Sequence, residues 1–228
     1  MKRFIVIAFS IIIGLISCDN LVTKKAGEFQ KSFKEKSEYS FYKYLDSSTN
    51  IYSNFYYHVS FDAPNNWTTD AGVSEHTIFR AFHRDSSLTF SLNVIELNYG
   101  KNEEISNVNI WELYQNNQKK LDYPIIALIE KQYNTKVSNF EVIKSYIKGN
   151  IALKRTLNYN VRDLDIIYNM KNISYQVMTN RFTFTFTLSV PTMFYNNKPS
   201  YFDNMFRNIY FLKDTETLEN FMEQMDIR

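Results

Sequence analysis

The sequence is poor in cysteine, glycine and histidine, with one, five and three of them in 228 residues. A single cysteine cannot form a disulfide within the chain, so the fold must be stabilised by its core alone. Five glycines supply no phosphate-binding glycine-rich loop. The three histidines show neither HxH nor HExxH spacing, so neither a metal site nor a cofactor is expected.

An excess of charge of one sign is also missing. The 26 basic residues nearly balance the 24 acidic ones, and two of the basic residues, Lys2 and Arg3, lie at the extreme N-terminus. Nucleic-acid binding requires a clustered basic excess, which this chain lacks. No nucleic-acid partner is therefore expected.

The long hydrophobic run of the sequence lies at the N-terminus. Lys2 and Arg3 precede an uncharged stretch over residues 4–16. As a helix this stretch would span roughly 20 Å, which is short of the ~30 Å hydrocarbon core of a bilayer. The pattern predicts a signal peptide over residues 1–17 rather than a membrane span.

The segment Leu15-Ile16-Ser17-Cys18 follows this run and resembles the lipobox of bacterial lipoproteins. Ile16 is bulkier than the residue usual at its position. The resemblance implies that Cys18 is acylated after cleavage and anchors the protein to a membrane of the bacterial cell envelope, outside the cytoplasm. Two or more acyl chains anchor firmly, because each buried methylene contributes about 0.8 kcal/mol. The alternative is a free cysteine after an ordinary signal peptide.

Residues 18–50 are polar and rich in charge, and we expect them to form a tether between the acylated Cys18 and a folded domain. Lysines and glutamates alternate there in a pattern typical of a solvated surface. A second interpretation is that the lysines contact the membrane surface. These lysines are Lys24, Lys25, Lys31, Lys34 and Lys36.

The remaining chain alternates between strand and helix patterns. Strands are predicted over 55–62, 76–84, 88–97, 139–149, 150–161, 173–178 and 181–190, while 162–171 is either a loop or a strand extension. Helices are predicted over 106–133, with Asn107 as N-cap and a break at 122–124 before Pro124, and from Pro199 to about 213. The acidic tail, 214–228, has helical propensity.

The strand over 181–190 has the clearest pattern. Its apolar residues alternate with Arg, Thr and Ser, so one face is predicted to be core and the other to meet water or a partner. The predicted core residues are Phe182, Phe184, Phe186, Leu188 and Val190.

The order of these elements resembles the PsbP-like fold. The resemblance covers about residues 54–213 and depends on three segments: VSFDAPNNW, TNRFTFTFTL and YFDNMFRNIYFLK. It implies an α+β domain over 51–213, in which helices sandwich an antiparallel sheet. The family includes an extrinsic photosystem II subunit, a Ran-GTPase-binding protein and bacterial lipoproteins, and it supplies no catalytic motif that transfers to this chain.

Pro64 and Trp67 receive structural roles from the same resemblance. The first strand is expected to leave the sheet at Pro64, because proline lacks the N–H that a strand pairing needs. Trp67 is then expected to fold back as an apolar plug of the core, since a ring of this size buries ~150–250 Å². The alternative role for Trp67 is stacking on a ligand.

Aromatic residues make up 17% of the chain, and tyrosines concentrate in 39–45 and 50–58. Tyrosine is favoured at binding surfaces, although a sheet-rich core in a genome with a bias toward aromatic codons also explains the excess. We therefore expect a non-enzymatic envelope module that binds a protein partner or another envelope component through an aromatic sheet face or loop. One alternative is a hydrolase that uses His58 or His83 with a nearby carboxylate. Another is an assembly subunit that docks through a stripe over 218–225.

Overall fold

The computed structural model describes residues 43–46, 50–54, 56–70, 74, 76–83, 87–97, 109–163, 165–179 and 181–211. The predicted signal peptide, Cys18, most of the tether and the tail over 214–228 lie outside the described residues. Within those ranges, no helix is both long enough and apolar enough to cross a bilayer.

The described chain forms eleven strands and four helices. The strands are β1 (Lys43–Asp46), β2 (Ile51–Asn54), β3 (Val59–Asp62), β4 (Thr68–Asp70), β5 (Thr77–His83), β6 (Leu88–Glu96), β7 (Ser138–Ile147), β8 (Asn150–Asp163), β9 (Ile166–Met178), β10 (Phe182–Pro191) and β11 (Ile209–Phe211). The helices are α1 (Ile110–Gln115), α2 (Gln118–Tyr133), α3 (Thr192–Asn197) and α4 (Pro199–Asn204).

The strands form two antiparallel sheets. The large sheet has seven strands in the order β4-β5-β6-β10-β9-β8-β7, and the small sheet has four in the order β1-β2-β3-β11. We call the side of the large sheet that carries Phe184 and Phe186 its front face, and the side that carries Thr185 and Thr187 its back face. Helices α1 and α2 pack on the back face, and α3 contacts β9 and β10. The predicted α+β class, an antiparallel sheet between helices, is confirmed.

The front face carries the main apolar core. Phe186 lies opposite Leu92 of β6 and Tyr175 of β9, so it sits at the centre of the sheet. Its ring is 5.8 Å from that of Phe61, which β3 of the small sheet contributes. The small sheet therefore covers the front face with aromatic contacts. The buried stripe Phe202, Met205, Phe206 and Ile209 belongs to the same core.

The back face contradicts one expectation. The polar residues of β10 do not meet water, because Thr183, Thr185, Thr187 and Ser189 are only 1–4% exposed. A second apolar cluster fills the space between β8 and the helices. It consists of Ile110, Tyr114, Leu121, Ile125 and Ile129 from α1 and α2, with Leu153, Leu157, Tyr159 and Met170 from the sheet.

The break in the predicted helix 106–133 lies at Asn116 and Asn117, and the predicted break at 122–124 is wrong. Asparagine is a weak helix former, and the Asn117 side chain donates to the Leu113 carbonyl at 2.9 Å, which helps to end α1. Pro124 is accommodated inside α2. The N-cap of α1 is Asn109, whose side chain accepts from the Trp111 N–H, while Asn107 lies outside the described residues.

Two further element boundaries differ from the predictions. The strand expected over 55–62 is confined to β3, because the chain turns at 56–58 with His58 at a φ of 55°. This turn pairs β3 with β2, which precedes the predicted segment. The helix expected from Pro199 to about 213 ends at Asn204, and β11 then pairs with β3. Residues 162–171, in contrast, extend β8 and β9 into one long hairpin.

Candidate functional site: a basic groove lined by aromatic rings

A groove of about 370 Å³ opens where the turn between β7 and β8 approaches α4 and the residues that follow it. Its size is within the range of small binding sites in proteins. Three elements of the sheet and one helical segment contribute its walls. The lining residues are Tyr146, Ile147, Lys148, Lys154, Tyr175, Asp203, Phe206 and Arg207.

The turn between β7 and β8 places one of the cations at the rim. Its two loop residues, Lys148 and Gly149, have φ values of 46° and 83°, as in a type I′ turn. Asn150 follows this turn, begins β8 and pairs with Ile147. Lysine rarely occupies this left-handed region, so the backbone at Lys148 is strained. The Lys148 ammonium donates to the Tyr210 hydroxyl at 3.1 Å and lies 4.2 Å from the ring centre.

Two aromatic rings in contact form the floor of the groove. Tyr175 and Phe206 have ring centres 4.5 Å apart at an angle of 34°. Lys154 lies opposite Tyr175 in the pairing of β8 with β9, and its ammonium is 5.5 Å from the Tyr175 ring centre. The floor therefore combines apolar area with a positive charge beside a ring, an arrangement worth about 0.5–1 kcal/mol at an exposed site.

The groove carries three cations, Lys148, Lys154 and Arg207, and one carboxylate, Asp203. Among the described residues none of these cations forms an ion pair. Asp203 accepts a hydrogen bond from the Tyr195 hydroxyl at 3.0 Å. Burial, together with this bond to a carboxylate, raises the pKa of Tyr195 to about 12. The net positive charge of the groove favours an anionic ligand or an acidic surface.

The lining of the groove contains no serine, threonine, cysteine or histidine, and its hydroxyl groups are the phenols of Tyr146 and Tyr175. Across the described ranges, no group of three or more His, Cys, Asp or Glu residues has the geometry to bind a metal ion.

Pro64 and Trp67 both lie in the segment that joins β3 to β4. Pro64 is buried two residues after the end of β3. Trp67 is half-buried and packs against the core, and its ring centre is 6.2 Å from that of His83. Cys18, the predicted lipidation site, lies outside the described residues.

The three histidines lie on separate parts of the fold. His58 is in the turn between β2 and β3, His76 precedes β5, and His83 ends β5. The seven-residue separation of His76 and His83 along β5 corresponds to roughly 23 Å. A single catalytic site that combines these two histidines is therefore excluded by the length of the strand.

The tyrosines predicted to form a binding surface over 39–57 are part of the core where the structure describes them. Tyr52 is 4% exposed, and Tyr56 and Tyr57 pack against Phe182. A side chain with such contacts is not a free binding surface, so the expectation of exposed tyrosines there is wrong for Tyr52. Among the residues whose burial is described, the exposed tyrosines are Tyr123, Tyr146 and Tyr201, of which Tyr146 lines the groove.

Solved structures similar to this chain include CyanoP, the PsbP of the cyanobacterium Synechocystis. It is 12% identical with a TM-score of 0.48, and the match covers 74% of this chain and 91% of CyanoP. LpqN of Mycobacterium tuberculosis, involved in cell envelope biogenesis, is 6% identical with a TM-score of 0.39 over 68% of this chain and 83% of LpqN. The Ran-binding protein Mog1p of Saccharomyces cerevisiae is 10% identical with a TM-score of 0.39 over 68% of this chain and 91% of Mog1p.

These similarities concern the fold. No family model matches the sequence, and no curated protein matches it either. Because unrelated functions share such folds, the function has to be inferred from the side chains of this chain.

Proposed function

We propose that this chain is a lipid-anchored protein of the bacterial cell envelope whose domain binds an acidic segment of another envelope protein. The anchor is Cys18, on the strength of the lipobox-like segment and the preceding signal-peptide pattern. The binding site is the groove described above. The observation that carries this proposal is one groove with three cations that form no ion pair among the described residues, beside two aromatic rings in contact.

The chemistry of the groove selects the kind of partner. Lys148 and Arg207 are exposed at its rim, where they attract carboxylates over a distance of about 10 Å at moderate salt. Tyr175 below them is half-buried and offers apolar area to the body of a side chain, while the buried Phe206 ring supports it from the core. A peptide segment with acidic residues beside an aromatic or aliphatic one matches both features. Binding of this kind weakens as the salt concentration rises.

The lining also favours a binding role over a catalytic one. Asp203 is the one carboxylate of the groove and is already engaged by the Tyr195 hydroxyl. A hydrolase commonly pairs an imidazole base with a serine, threonine or cysteine nucleophile, and the lining of the groove contains none of these residues.

The experiment is a crosslinked pull-down of the full-length protein from the membranes of its own organism, with charge reversals in the groove. The groove variant is Lys148→Glu, Lys154→Glu and Arg207→Glu. The matched control, with an equal change of charge on exposed positions of α2, is Lys119→Glu, Lys120→Glu and Lys131→Glu. The Cys18→Ala variant tests the anchor in parallel.

We expect the wild type and the α2 control to capture the same partner, and the groove variant to lose at least 90% of it. Each lost charge contact in a binding site is worth roughly 1–2 kcal/mol, so three losses reduce affinity by more than a hundredfold. The Cys18→Ala variant should leave the membrane fraction. Equal capture by the groove variant and the control would refute the groove as the binding site.

A further inference from the structure

A second polar site lies on the back face, under α1 and α2, and is separate from the groove. Its centre is Arg155 on β8, which is only 3% exposed. One terminal nitrogen of its guanidinium, Nη1, donates to Gln176 Oε1 on β9 at 2.9 Å. The Tyr114 ring lies 6.0 Å from its carbon centre. A guanidinium buried this deeply normally has most of its N–H groups in hydrogen bonds.

One edge of the Arg155 guanidinium is unused. Its Nε and Nη2 atoms have no hydrogen-bond partner among the described residues. These two atoms point their N–H groups in parallel, as a fork that matches the two oxygens of a carboxylate. Arg80, on the back face of the same sheet, uses this edge on Asp70, with Nε–Oδ1 at 3.0 Å and Nη2–Oδ2 at 2.6 Å.

The groups around this edge provide both charges. Gln176 Nε2 is a further buried donor without a partner in the described part of the chain. On the helix side, Asp122 accepts from the Tyr114 hydroxyl at 2.8 Å through Oδ2. Its Oδ1 is buried and has no hydrogen-bond partner among the residues that the structure describes. Asp122 and Arg155 influence each other electrostatically but form no direct ion pair in the described residues. A polar group placed between them would satisfy both.

We propose that this site binds a small amino carboxylate, of which glycine is the simplest example. The carboxylate would lie on the Nε and Nη2 edge of Arg155 and accept a third hydrogen bond from Gln176 Nε2. The ammonium group would donate to Asp122 Oδ1. One molecule of this class supplies both the two acceptor oxygens and the cationic donor that the site requires.

The short helix α1 is the element that admits the ligand. It has six residues, far fewer than the roughly 12 that an isolated helix needs for stability in water. Its attachment to the sheet depends on two buried side chains, Ile110 and Tyr114. Tyr114 also contacts Asp122, so a ligand that fixes Asp122 also fixes α1.

The test is calorimetric titration of the full-length protein, in detergent, with glycine and with acetate as probes. Glycine should bind at least tenfold more tightly than acetate, because acetate has no ammonium group for Asp122. Arg155→Met should lower the affinity for glycine at least tenfold. Arg80→Met is the matched control, since it removes the same fork from the same face at a more exposed ion pair, and should leave glycine binding unchanged.

Asp122→Asn gives an independent readout, useful if Arg155→Met does not fold. It should remove the preference for glycine over acetate while acetate still binds. The proposal is overturned if glycine does not bind, or if Arg155→Met binds it as the wild type does. It is also overturned if a crystal structure with glycine shows only water on the Arg155 edge, or Asp122 rotated onto it. Since no groove residue is involved, failure here leaves the proposed function untouched.

Discussion

The two faces of strand β10 are equally buried but have opposite chemistry. On the front face, Phe184 and Phe186 are 0–1% exposed and pack on other aromatic rings. On the back face, Thr185 and Thr187 are 1–4% exposed within a layer of polar side chains. Burial of the front face is favourable through the apolar area removed from water, whereas burial of the back face is favourable only where hydrogen bonds are made.

The unpaired polar atoms follow the same division. In the described part of the chain, the buried side-chain atoms without a hydrogen-bond partner belong to Asp122, Arg155, Asn172 and Gln176. Arg155, Asn172 and Gln176 lie on the back face, and Asp122 lies on α2, which packs there. The front face is therefore built for stability. The back face retains polar groups at a cost in stability, which is typical of a site with a function.

The largest effect on stability is expected when an aromatic side chain of the front face is truncated. Phe186→Ala should lower the free energy of unfolding by about 3–5 kcal/mol, because it leaves a cavity at the centre of the aromatic core. Thr185→Val, its neighbour on the back face, keeps the volume and loses one hydroxyl. It should change the stability by no more than about 1.5 kcal/mol.

Urea denaturation of both variants and the wild type measures the difference. Similar losses for the two substitutions would contradict the division between the faces, because Thr185 would then be as important to the core as Phe186.

The front face was predictable because its signal is local. The alternation from Phe182 to Val190 predicts a strand with one core face, and all five apolar residues are buried there. The burial of the back face was not predictable, because threonine alternating with phenylalanine is also the pattern of a half-exposed strand. Burial of Thr185 depends on what the tertiary structure places over it, and no local pattern contains that information.

The two candidate sites were missed for a related reason. Arg155 and Gln176 are 21 residues apart and meet only through the register of β8 with β9. Lys154 and Arg207 of the groove are separated by two further strands and two helices. None of these residues belongs to a cluster in the sequence. The strands of the hairpins were predicted because the residues that favour strands and turns are neighbours in the sequence. The helix boundary at Asn116 and Asn117, in contrast, depends on the hydrogen bond between the Asn117 side chain and the Leu113 carbonyl.

A smaller, pH-dependent effect tests the polar back face. Burial raises the pKa of the Asp122 carboxyl above its ordinary value, against the opposing effects of Tyr114 and Arg155. A carboxyl with a higher pKa in the folded state destabilises the fold progressively as the pH rises from its ordinary pKa through the raised one. Asp122→Asn cannot ionise, so its free energy of unfolding should exceed that of the wild type more at pH 7 than at about pH 4.

Denaturation curves at both pH values provide the measurement. If Asp122→Asn instead loses stability selectively at pH 7, the Asp122 carboxylate is already neutralised by Arg155. In that case the back face would contain an ion pair between Asp122 and Arg155. It would then differ from the front face only in the types of residue that it buries.

The last and smallest effect concerns the turn at the rim of the groove, where the strained backbone of Lys148 lowers the stability of the fold. Lys148 occupies a left-handed conformation that asparagine adopts more readily. Lys148→Asn should therefore raise the free energy of unfolding by up to about 1 kcal/mol, less the lost contact with Tyr210. Lys154→Asn is the control, because it removes the same charge from a regular strand and should bring no gain.

A gain in stability for Lys148→Asn alone, with weaker partner capture by both variants, would show that the strained turn is kept for its cation. Equal stability of the two variants would mean that the turn holds lysine without strain, and the cost found on the back face would then have no counterpart in the groove.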